Sequence, residues 1–196
     1  MLIFSDLGKY YSVTNHKNMK KILYIYGLGS SPDSDTRKML DEILSPHGFT
    51  VISVAYNQKL PKIGLAELNA AIEREKPIAV IASSLGGFFA MNLAAMVPVI
   101  LINPCLKPAT ELPKLGEDGD VYKDMERLLF NTYKNCEFPV NHLEKMYGFF
   151  GTHDELFSYK DEFSKLFPAY DFDGGHRPTK ENLQRIAPEI LKKLPK

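Results

Sequence analysis

Cysteine is scarce in this chain: two in 196 residues, Cys105 and Cys136. They form no CxxC pair, and no histidine stands at metal-ligand spacing from either. The expectation is two ordinary reduced thiols, as in the cytoplasm, with no metal. A catalytic role for Cys105 would need better surroundings than Asn103-Pro104 supply. An excess of either charge is also lacking. Lysine plus arginine number 24, and aspartate plus glutamate number 24. That balance gives no electrostatic reason to expect nucleic acid or an anionic membrane surface as a partner. The Lys192-Lys193 pair reads as a solvated helix face.

Long apolar runs are missing too. No stretch reaches the roughly 18 residues that a membrane-spanning helix needs. The N-terminus lacks the order of a secretory signal, because apolar Met1–Phe4 comes first and Ser5, Asp6 and Lys9 follow. A second possible start, Met19-Lys20-Lys21, stands directly before the first strong strand pattern. Residues 1–18 therefore read as an extension of uncertain role, and residues 19–196 as one domain. No repeat, low-complexity tract or linker divides it.

What is present suits a single packed domain. Hydrophobic residues make up 44% of the chain, which argues against disorder. Short apolar runs at 22–26, 50–54, 78–82, 97–102, 146–150 and 169–172 read as strands buried on both faces of a sheet. Helical patterns fall between them, at 35–44, 64–74, 85–96 and 180–194. Ser34 or Asp35 is placed to cap the first, and Pro188 to kink the last. Alternating strands and helices predict a three-layer α/β/α sandwich around a mostly parallel, doubly wound sheet. Residues 107–145 are the least regular stretch. They read either as a small lid over a pocket or as a surface insertion.

The chemistry concentrates at 78–87, where an apolar strand runs into a helix through Ala82-Ser83-Ser84-Leu85-Gly86-Gly87. A nucleophilic serine on a strand-to-helix turn sits in a strained conformation, with little room two residues to either side. Ser84 is flanked at that distance by Ala82 and Gly86, whereas Ser83 would be flanked by Ile81 and Leu85. Ser84 is the candidate nucleophile. The alternative is a plain turn in which Ser84 caps the helix.

A serine needs a base to take its proton. In a hydrolase of this architecture the acid and then the histidine follow the serine along the chain. Gly151-Thr152-His153-Asp154-Glu155 follows a late strand, so Asp154 is the candidate acid and Glu155 its competitor. Asp173-Gly174-Gly175-His176 follows the last strand, so His176 is the candidate base. His16 and His47 precede the nucleophile, His142 lies in the 107–145 stretch, and His153 adjoins the acid. Oxyanion donors are expected from the backbone N–H of Leu85, after the nucleophile, and of Leu28, in the loop Tyr26-Gly27-Leu28-Gly29-Ser30-Ser31-Pro32. Tyr26 and Gly27 are placed at the substrate. That loop lacks the lysine of a phosphate-binding loop and the spacing of a dinucleotide fingerprint.

Four segments thus align: 26–32, 82–86, 151–154 and 174–176. Together they resemble the α/β-hydrolase superfamily, and more narrowly the small bacterial YqiA-like esterases. The narrower resemblance rests on Gly27–Pro32, Ser83–Gly87 and Asn103-Pro104, and it spans about residues 20–195. It implies esterase activity on short acyl esters without a cofactor, carried by Ser84, Asp154 and His176. Two departures stand out. Tyr26 replaces the histidine that usually opens the early loop and braces it, and Arg177-Pro178 replaces an expected serine and aromatic residue. The expected function is hydrolysis of small acyl esters or thioesters. Acyl transfer by the same residues and a non-catalytic binding role are the alternatives.

Overall fold

The computed structural model describes residues 19–94, 96–134 and 145–195. Six strands form one sheet: β1 (Lys20–Ile25), β2 (Phe49–Ile52), β3 (Ala79–Ser83), β4 (Val99–Ile102), β5 (Met146–Gly151) and β6 (Ala169–Phe172). Their order is β2-β1-β3-β4-β5-β6, and every neighbouring pair is parallel. Among the described residues the sheet is wholly parallel, in keeping with the expected doubly wound α/β/α sandwich. The helices are α1 (Asp35–Leu44), α2 (Pro61–Glu75), α3 (Leu85–Met91), α4 (Pro108–Glu111), α5 (Lys123–Lys134), α6 (Lys160–Phe163) and α7 (Lys180–Lys193).

Burial explains the runs. All residues of β4 and the first four of β3 are buried, as central strands covered on both faces must be. Edge strand β6 buries only Phe172. The core joins Ile22, Ile81, Leu101 and Phe149 of the sheet to Leu40, Phe88 and Leu183 of the flanking helices. Burying each such side chain contributes about 1.5–3 kcal/mol.

Local chemistry sets the helix ends. Ser34 accepts the Arg37 N–H at 3.4 Å and starts α1. Pro61 starts α2 from its first position, three residues before the expected Gly64, because a missing N–H costs nothing there. Helix α3 stops at Met91, short of the expected 96, where the Asn92 side chain donates to the Phe88 carbonyl at 2.8 Å. Helix α7 begins with a reciprocal cap between Thr179 and Asn182 and runs on through Pro188.

Topology then fixes where a ligand can sit. Strand β1 leads to β2 on one side and is flanked by β3 on the other, so the winding direction reverses between β1 and β3. Loops leaving the carboxyl ends of such a strand pair part and leave a crevice. Here those loops begin at Tyr26 and Ser84.

Candidate active site

The turn after β3 carries Ser84 in a conformation that L-residues rarely adopt, φ 53° and ψ −129°. Strain of this kind costs about 1–3 kcal/mol and persists only where the surroundings enforce it. The enforcement is visible. The Ser84 N–H donates to the Ile102 carbonyl of β4 at 3.2 Å, and its carbonyl accepts from Cys105 at 2.9 Å. Gly86 passes so close to β1 that a Cβ there would stand 2.2 Å from the Ile25 carbonyl oxygen. A small residue at 86 is thus a packing requirement as well as a turn requirement. The Ser84 side chain makes no capping hydrogen bond to α3. Its Oγ lies 2.9 Å from Nε2 of His176 instead. Ser83 is engaged elsewhere, 2.6 Å from the Tyr24 hydroxyl.

On its far side the His176 imidazole meets the Asp154 carboxylate, with Nδ1 3.0 Å from one oxygen and 3.1 Å from the other. The His176 and Asp154 side chains are only 7% and 5% exposed, so water competes weakly for these bonds. The edge-on ring of Phe157, 4.9 Å away between centroids, covers the imidazole. Burial pushes the Asp154 carboxyl up. The His176 hydrogen bond and the amides of Phe157 and Leu156 outweigh it and hold the group below its ordinary value. Asp154 is thus held as an anion facing Nδ1, an arrangement that favours Nε2 as the site that accepts a proton from Ser84.

Neighbouring residues have separate tasks. Glu155, the competing acid, accepts the His176 backbone N–H at 3.0 Å and does not meet the ring. His153 turns outward to Asp173, 3.2 Å away, with its side chain 73% exposed. Asn103, which the sequence shows only as part of an Asn-Pro motif, ties the site together. Its φ of 46° lies in the left-handed region that asparagine tolerates. From there its amide donates to the carbonyls of Gly175 at 2.9 Å and His176 at 3.0 Å, and its oxygen accepts the Gly151 N–H at 2.7 Å. One side chain at the end of β4 therefore fastens the end of β5 to the loop that carries His176. Asn182 holds the base of that loop, donating to the Asp173 carbonyl at 2.6 Å.

Across Ser84 lies the loop after β1. A Cβ at Gly27 would stand 2.7 Å from the Ser84 Cβ, so only glycine fits. Among the described residues nothing accepts a hydrogen bond from the Leu28 amide. The Leu85 amide is the first N–H of α3, and a helix offers no partner of its own to its first N–H. Tyr26 does not take its expected place at the substrate. It is 4% exposed and packs on Tyr56 at 4.9 Å between ring centroids, because it directly follows a strand whose last four residues are buried on both faces.

A cavity of about 580 Å³ opens over Ser84 and His176. Leu28, Met39, Leu115 and Leu156 give it an apolar side, and Tyr24, Ser34, Thr36 and Ser83 a hydroxyl-rich one. Arg177 and Pro178, the departures after the histidine, line it as well. From the 107–145 stretch, only Leu115 among the described residues reaches the cavity. Elsewhere in 107–134, Leu112, Tyr122, Met125 and Leu129 are buried, Tyr122 against the rings of Phe88 and Phe89. Residues 135–144, with Cys136 and His142, and residues 1–18, with His16, lie outside the described residues. Among the described residues no group of three or more His, Cys, Asp or Glu side chains could hold a metal ion. None of their helices is long and apolar enough to cross a membrane.

Sheet order, strained turn and cavity together define the α/β-hydrolase fold, and solved structures agree. Est1E from Butyrivibrio proteoclasticus, determined with ferulic acid bound, matches with a TM-score of 0.65 at 15% identity over 90% of both chains. The esterase domain of a Rhodothermus marinus protein matches with a TM-score of 0.63 at 15% identity, over 89% of this chain and 86% of that one. The ydeN gene product of B. subtilis gives 0.61 at 16% identity, over 89% and 97%. At such identities the likeness is one of fold. The chain belongs to the uncharacterised protein family UPF0227, which matches residues 21–186.

Proposed function

We propose that the protein is a serine hydrolase that cleaves small acyl esters or thioesters through an acyl-enzyme on Ser84. The observation that carries this reading is the continuous chain Ser84 Oγ–His176–Asp154, with contacts of 2.9 and 3.0 Å, at the floor of an open cavity. A merely structural serine has no need of a strained backbone or of a buried, carboxylate-backed imidazole.

In the proposed cycle Ser84 Oγ attacks the acyl carbonyl as Nε2 of His176 takes its proton. Asp154 keeps the ring oriented and stabilises its protonated form. The backbone N–H groups of Leu28 and Leu85 receive the negative charge that develops on the carbonyl oxygen. The tetrahedral intermediate collapses, and His176 returns the proton to the departing alcohol or thiol. Water, deprotonated by the same imidazole, then attacks the acyl-enzyme, and as the acyl–oxygen bond breaks His176 returns that proton to Ser84 Oγ and the acid leaves. The cavity lies within the range of about 300–1,000 Å³ usual for small ligands, which supports a small acyl substrate.

The test is a panel of p-nitrophenyl esters of rising chain length together with acyl-CoA thioesters. The reading expects turnover of short esters that Ser84→Ala abolishes. A folded wild type that turns over no member, or a Ser84→Ala variant as active as the wild type, overturns it.

A further inference from the structure

The loop that carries Leu28 has a side-chain brace. It comes from Gln58, in the connection between β2 and α2. Its side-chain nitrogen donates to the Gly27 carbonyl at 2.8 Å, and its oxygen accepts the Gly29 N–H at 3.2 Å. A carbonyl can only accept and an N–H can only donate, so the orientation of this amide is fixed by its partners. The second nitrogen hydrogen reaches the Tyr56 hydroxyl at 3.1 Å, and that hydroxyl donates to the Tyr26 carbonyl at 2.5 Å. The Tyr122 hydroxyl, from the 107–134 segment, donates to the Gln58 backbone carbonyl.

The consequence lies in one peptide plane. The Gly27 C=O and the Leu28 N–H belong to the same trans peptide unit, so they point in opposite directions. Holding the Gly27 oxygen on Gln58 turns the Leu28 N–H away from Gln58. Gly27 itself abuts Ser84, and Gly27, Leu28 and Gly29 all line the cavity. We infer that Gln58 is a positioning residue that aims the Leu28 amide at the developing oxyanion. This rests on the serine-hydrolase reading above. It further assigns Tyr56 and Tyr122 as supports of Gln58, so the 107–134 segment acts as a buttress for this loop.

An oxyanion donor acts on the transition state, so loosening it lowers kcat and spares KM. Removing one such donor outright costs about 10²–10³ in kcat, and loss of its aim should cost about 10–100-fold. The experiment measures kcat and KM for p-nitrophenyl butyrate, and affinity for an alkyl trifluoromethyl ketone, in wild type, Q58L and Q58E. Active sites are counted by fluorophosphonate titration. Q58L should lose kcat per titrated site about 10–100-fold with KM within about twofold, and lose ketone affinity by a similar factor. Q58E adds a readout that a structural role would not move. Its carboxylate repels the Gly27 carbonyl, whereas its protonated acid can donate there again. Its kcat relative to wild type should therefore rise as pH falls toward the carboxyl range, about 4–5. Unchanged kcat per site and ketone affinity in Q58L, or a pH-independent ratio in Q58E, overturns the inference while leaving the hydrolase reading intact. A Ser84→Ala variant that keeps wild-type turnover overturns both.

Discussion

Two backbone segments face each other across Ser84, and they are held in different ways. The turn after β3 is held from within. The residues two positions to either side of Ser84 are small, its amide and carbonyl bond to the next strand and loop, and its strain is locked by Gly86 against β1. The loop after β1 is held from outside, by Gln58 with Tyr56 and Tyr122 behind it. The first arrangement fixes a reactive side chain at high conformational cost. The second fixes a backbone amide at low strain, through the Gln58 contacts added to a turn bond from the Ser30 N–H to the Gly27 carbonyl at 3.3 Å. Strain enforced by packing tolerates little change, whereas a braced loop can be loosened by degrees.

The largest effects should come from the internally held turn. Ser84→Ala and Ser84→Gly should each lower kcat by about 10⁶-fold. They should part in stability, with the glycine variant about 1 kcal/mol the more stable by denaturant unfolding, since only glycine adopts φ 53° without strain. Equal stabilities would mean that the turn is not strained. Gly27→Ala attacks the contact between the two segments. The added Cβ, 2.7 Å from that of Ser84, should displace the loop and lower kcat about 100-fold, read in steady-state ester hydrolysis.

Asn103→Ala tests the third segment, the His176 loop, which is also held from outside. It leaves the Gly151 N–H and two carbonyls without their partner. Urea unfolding should show a loss of about 1–3 kcal/mol, accompanied by a kcat loss about tenfold smaller than that of Gly27→Ala. The smallest effect concerns acid stability. The Asp154 carboxyl is held below its ordinary value. Its contribution is therefore complete above about pH 4 and disappears as pH falls through the folded value. In Asp154→Asn, stability between about pH 5 and pH 2 should fall less steeply than in the wild type.

The contrast also accounts for what could be read in the chain. Several features decided locally were legible: Ser84 over Ser83 from flanking bulk, Asp154 and His176 from their places after late strands, and the α1 start from Ser34. Features set by distant partners were not. Nothing around Gln58 signals that its amide grips a loop some thirty residues earlier. Asn103 lay in a recognisable motif, but its hold on Gly175 and His176 spans more than seventy positions. Tyr26 stands beside a functional loop, but position along the chain does not fix a side chain's direction; packing on Tyr56 next to a strand buried on both faces does. The end of α3 was missed because an apolar pattern reports burial and is silent on where the backbone stops coiling.

The central claim is that Ser84 is a nucleophile activated by His176. Intact-mass and peptide mapping after exposure to a fluorophosphonate tests it directly. The account predicts one adduct per chain, on the peptide containing Ser84, absent from Ser84→Ala and strongly slowed in His176→Ala. An unlabelled, folded wild type, or an adduct at any other residue, would contradict it.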